Sequence, residues 1–169
     1  MRDVQRWGAT VDYRHLSVYL NEHLAASAAA LEILAELQRL HGVESWTSRV
    51  RSDIADDREE LETLMRRVGI ARAPGRPPVG FIAEKAARLK TRAEDPANRF
   101  LYSLELIEAL AAGIDGKRAL WTALQAAAAE APALQHVDYA RLIARAEEQR
   151  QRVETHRLQA AADALSRRA

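Results

Sequence analysis

The chain contains no cysteine. That excludes disulfides, thiolate catalysis and zinc sites built on cysteine, and it is compatible with a cytoplasmic setting. No run approaches the ~18 apolar residues of a membrane span, and the N-terminus "MRDVQRWGATVDYRHL" lacks the apolar stretch of a signal peptide. A cytoplasmic protein with no membrane partner is expected. Neither sign of charge prevails: 25 basic residues face 24 acidic ones, for a net charge of +1. There is no global field to draw nucleic acid, and the basic stretches "RRVGIARAPGR" and "RLKTRAEDPANR" lack interleaved aromatics. Glycine (seven), proline (five) and aromatics (5%) are scarce in the 169 residues. What is there instead is Ala, Leu, Arg and Glu, all favourable in helices. The length suits one domain, read as residues 12–169 behind an N-terminal extension, 1–11.

Apolar residues recur at three- and four-residue spacing in four segments, the signature of amphipathic helices. The first runs from about Asp12 to His41 and the second from about Glu44 to Val68, with Gly42 and Gly69 as stops. The third begins after Pro96 and follows Phe100, Leu104, Ile107, Ile114, Trp121 and Leu124; Gly113 and Gly116 are expected to break or kink it. The fourth follows Asp138, an N-cap residue, through Tyr139, Leu142, Ala146, Gln149, Val153 and His156.

Four of the five prolines fall between the second and third helices, so that connection cannot be one helix. Within it, "VGFIAEKAARLK" suits a short helix of its own. Short turns after helices one and three, with a long connection after helix two, predict an all-α, ferritin-like antiparallel four-helix bundle with a short helix in the crossover. The stretches "YLNEHLAASAAALEILAEL", "ELETLMRRVGIARAP", "GFIAEKAARLK" and "LELIEALAAGIDGKRALWTAL" resemble an uncharacterised group of small bacterial ferritin-like proteins, over roughly residues 13 to 165. The resemblance implies the fold and brings no activity with it.

A ferritin-like di-metal site needs a carboxylate from each of two helices and a Glu-x-x-His pair from each of the others. None of the five histidines has a Glu three residues before it, so the standard site is absent. A degenerate site emerges from register. With turns near residues 43 and 132, Glu32, Asp57, Glu108 and His156 fall within about a turn of one level, with Asp53 and Glu105 as secondary donors. Carboxylates with an imidazole suit iron, manganese or zinc. In "SDIADDREELET", only Asp57 lies on the apolar line through Val50, Ile54 and Leu61, with Asp53 beside it; the other acids face water by the helical period.

A second polar layer centres on Lys117, near the core line between Ile114 and Trp121. Burying an ammonium alone is costly, so a partner is required. Register offers Glu147, with Gln149 and His23 completing the layer. Three readings follow: a bundle of unknown activity whose polar layers are structural; a metal-binding bundle using Glu32, Asp57, Glu108 and His156; and a binding module for a small anion, with Lys117 and His23 as its positive groups. Ala-rich faces (Ala25–Ala30, Ala109–Ala112, Ala126–Ala129) permit close helix approach and suggest a homodimer.

Overall fold

The computed structural model describes residues 12–42, 44–73 and 98–166. The expected N-terminal extension and the short crossover helix lie outside these residues. The described chain is helical, with no strand. It forms α1 (Tyr13–His41), α2 (Ser45–Arg67), α3 (Arg99–Ala128) and α4 (Tyr139–Leu165), with a 3₁₀ turn at Pro132–Leu134. No described helix is long and apolar enough to cross a membrane.

Local chemistry sets the helix ends. The Asp12 carboxylate accepts from the backbone N–H of Arg14 and His15, at 3.0 and 3.1 Å. Asp138 does the same for Arg141 at 3.0 Å, which satisfies donors that a helix start leaves free. Gly42 and Gly69 end their helices at φ of 80° and 71°, a region that favours glycine. Contrary to the expected break, α3 runs unbroken through Gly113 and Gly116. Two glycines cost about 2 kcal/mol of propensity, which a long helix packed along two neighbours absorbs. A side chain at Gly116 would meet nothing within 4 Å, so close packing does not demand that glycine.

Each of α1 and α4 packs against both α2 and α3. The polar pairs show that these neighbours are antiparallel. Arg58 Nη1 donates to Leu24 O at 3.0 Å and Arg51 Nη1 to Leu31 O at 3.2 Å, one residue number rising as the other falls. On the α3–α4 face, Arg150 meets Asp115 at 3.2 Å and Arg157 meets Glu108 at 3.9 Å. On the α2–α4 face, Arg141 meets Glu60 and Arg152 meets Asp53, both at 2.6 Å. Since α2 and α3 are both antiparallel to α4, they are parallel to each other, across the diagonal.

The core divides in two. One apolar cluster holds Leu20, Leu61, Leu64, Trp121, Leu124 and Leu142; the other holds Leu34, Val50, Ile54, Ile107, Leu110 and Val153. On every helix the division falls at one level. That level is polar.

Candidate functional site

The dividing layer is built from α2, α3 and α4. Asp57 leaves α2 inward from the line of Val50, Ile54 and Leu61, and is 3% exposed. Lys117 reaches across the diagonal from α3, and its Nζ donates both to Asp57 Oδ2 and to Gln149 Oε1 on α4. Gln149 is fully buried, and its Nε2 donates to Asp57 Oδ2 at 3.0 Å. An amide suits this position because it can accept from the ammonium and donate to the carboxylate at once. Arg145, one turn before Gln149, forms an ion pair with Asp57 Oδ1 without hydrogen-bond alignment.

Burial pushes the Lys117 ammonium below its ordinary range; Asp57 pulls the other way and Arg145 adds to the lowering. His23 on α1 lies at the same level, its ring edge-on to Tyr19 with centroids 4.7 Å apart. Burial lowers its imidazole as well, so at neutral pH the uncharged form is favoured. The positive charge that the sequence reading expects of His23 is thus disfavoured by burial.

Glu147 is not the partner of Lys117. It projects outward, 54% exposed, and meets Arg118 at 3.9 Å. Lying at the right height is not enough: Gln149 and Arg145 occupy the inward face of α4, and Glu147 occupies the outer one.

The candidate metal donors do not converge. The parallel pairing fixed by Asp57 and Lys117 puts Glu108 level with Ser48, so Asp57 lies about two and a half turns away, roughly 13 Å along the axis. At the level of Glu108, α2 turns Val50 inward, fully buried among Leu34, Ile107 and Val153. Glu32 is exposed. Glu108 meets Arg157, and Asp53 meets Arg152. Glu105 is half-buried on α3. His156 stacks on Trp46, with centroids 4.2 Å apart and planes 14° from parallel. Among the described residues no group of three or more His, Asp or Glu side chains is placed to hold a metal ion.

Sequence reasoning gives no site role to Arg145, Arg58, Ser27 or Trp121, which stand at this layer; Trp121 enters it only as a residue of the core line. Arg145 carried a signal, standing four residues before Gln149 on one face. Arg58 looks like the lone base of an acidic run, yet its Nη1 donates to Leu24 O and to Ser27 Oγ at 2.9 Å. Comparison with known proteins finds no matching family model, curated protein or solved structure.

Proposed function

We propose that the chain is a ferritin-like antiparallel four-helix bundle whose charged core layer is a structural device rather than a metal centre. It is a bundle module in which Asp57, Lys117, Gln149 and Arg145 dictate how the helices pair. The observation that carries this reading is the engagement of Asp57, the inward carboxylate of α2, by Lys117 and Gln149 on one oxygen and Arg145 on the other. A carboxylate so occupied is not available to a divalent cation. Val50 at the level of Glu108 supports the same reading, since a ferritin-like metal layer needs a donor there.

Register specificity is the best-attested use of a buried polar group. A one-turn slide of α2 against α3 would strand Lys117 and Asp57 in opposite apolar clusters. The cytoplasmic setting belongs to this proposal. So does self-association through Ala-rich faces, for which Ala126 and Ala127 at the end of α3, and Ala129 just after it, are exposed while Ala29, Ala30, Ala109 and Ala111 serve internal packing.

Elemental analysis of protein purified without chelator or histidine tag, alongside Glu108→Ala, tests the reading. The expected result is iron, manganese and zinc far below stoichiometric in both proteins. Stoichiometric metal in the wild type that disappears in Glu108→Ala would overturn it.

A further inference from the structure

A cavity of about 40 Å³ adjoins the ion pair, bounded by α1, α2 and α3. The space is small and partly open, and admits a small molecule beside the ion pair. Ala26, Ala30, Ile54 and Leu61 give it apolar walls, and Lys117, Trp121 and His23 are among its lining residues.

Three deficits meet at this cavity. Trp121 is 1% exposed, and its Nε1–H has no acceptor among the described residues. Lys117 carries three N–H donors, of which Asp57 and Gln149 take two. With both cations protonated, Lys117 and Arg145 share Asp57 as their close ion-pair partner, while Asp53, itself paired with Arg152, acts on Lys117 from farther off. Arg58 also lines the cavity; its Nη1 donates to Leu24 O and Ser27 Oγ, and its Nε lies 3.1 Å from Glu62, which offsets its charge. Asp57 lines it too, with its charge offset by the two cations.

A molecule that remedies all three deficits brings one negative charge, acceptors for two donors and a small apolar end. Sulfate brings two negative charges and no apolar end, so it matches these walls and this charge balance less well. We propose that the cavity between His23, Lys117 and Trp121 binds a small carboxylate of formate or acetate size. This goes beyond the structural reading of the layer, which requires only that Asp57 and Lys117 be paired.

The test is calorimetric titration of the full chain with sodium formate, acetate, chloride and sulfate at constant ionic strength. Two variants accompany it: Trp121→Phe, which removes the unpartnered N–H, and Ala26→Leu, which fills the space. Formate and acetate are expected to bind saturably and more tightly than chloride or sulfate. Trp121→Phe weakens acetate about tenfold, as loss of a hydrogen bond to a charged ligand does, and Ala26→Leu abolishes binding with helical content retained. If Ala26→Leu fails to fold, Trp121→Phe decides. No saturable acetate binding, equal binding of chloride or sulfate, or an unchanged affinity in Trp121→Phe would each overturn the proposal. The coupling between Asp57 and Lys117, measured in carboxylate-free buffer, stands or falls separately.

Discussion

Lys117 on α3 and Asp57 on α2 meet across the diagonal of four packed helices, on residues 15% and 3% exposed. Their partners are unequal: Asp57 has two cations, and Lys117 has one carboxylate. Asp57→Leu leaves both Lys117 and Arg145 without their carboxylate and should cost about 3–5 kcal/mol, the range for breaking a buried pair. Lys117→Met leaves Asp57 with Arg145 and Gln149, and should cost clearly less. The double variant should cost less than the sum of the two, because the residues share one interaction. Urea unfolding of the three variants checks the order; equal and additive losses would mean the pair is incidental.

Acid should weaken the fold as the pH falls through the histidine range. Burial lowers His23 and His156 from the ordinary 6.5, while Glu22 and Glu44 respectively pull the other way. An imidazole lowered in the folded state stays neutral where the unfolded chain takes up a proton. Protonation therefore favours unfolding once the pH drops below 6.5, until each folded-state value is reached. The slope is at most ~1.4 kcal/mol per pH unit for each histidine. Unfolding midpoints at pH 7.5 and 5.5 should differ in this direction, and His23→Gln should reduce the difference. A protein equally stable at both values would contradict these directions.

Asn21 should hold the chain that leaves α2. Its Nδ2 donates to Ser17 O at 2.9 Å and Ala71 O at 3.2 Å, while its Oδ1 accepts from Ala73 N at 2.8 Å. Asn21 is 6% exposed while Ala71 and Ala73 are exposed, so Asn21→Ala should cost about 0.5–1.5 kcal/mol for each hydrogen bond lost. Arg72, which also pairs with Glu62, should then become the first site of tryptic cleavage. An unchanged digestion pattern would show that the residues after α2 are held by other means.

Two glutamate-like positions on α4 should behave oppositely. Glu147→Ala removes an exposed side chain 3.9 Å from Arg118 and should shift stability by less than about 0.5 kcal/mol. Gln149→Leu removes an acceptor from Lys117 and a donor to Asp57, and should cost about 2–4 kcal/mol. Thermal unfolding of the two variants side by side tests which residue belongs to the core.

The helices were legible because periodicity, caps and glycine stops are local: Asp12, Gly42, Gly69 and Asp138 mark boundaries within a residue or so of those observed. The layer was less legible because it depends on quantities the period does not contain. Register says how high a residue stands, not which way it faces; Glu147 and Gln149 differ by two residues and by half a turn. The relative direction of α2 and α3 stayed open in the sequence because the connection between them is long. Even with parallel helices, a modest error in their offset moves Asp57 from the level of Glu108 to that of Lys117. Arithmetic from turn positions carries an error of a turn or two, enough to exchange a ligand set for an ion pair.

Two apolar clusters separated by a charged layer also have a consequence for how the molecule opens. Leu34, Val50, Ile107 and Val153 touch one another on one side, and Leu20, Leu64, Trp121 and Leu142 on the other. The two clusters share no member, and Lys117, Asp57 and Gln149 stand at the level between them. Either half can therefore fray while its neighbour stays closed, as cooperative subunits within one fold do. Native-state amide exchange should sort the backbone into two groups of protection, divided near Asp57 on α2 and Lys117 on α3. Asp57→Leu should alter how tightly the two groups exchange together.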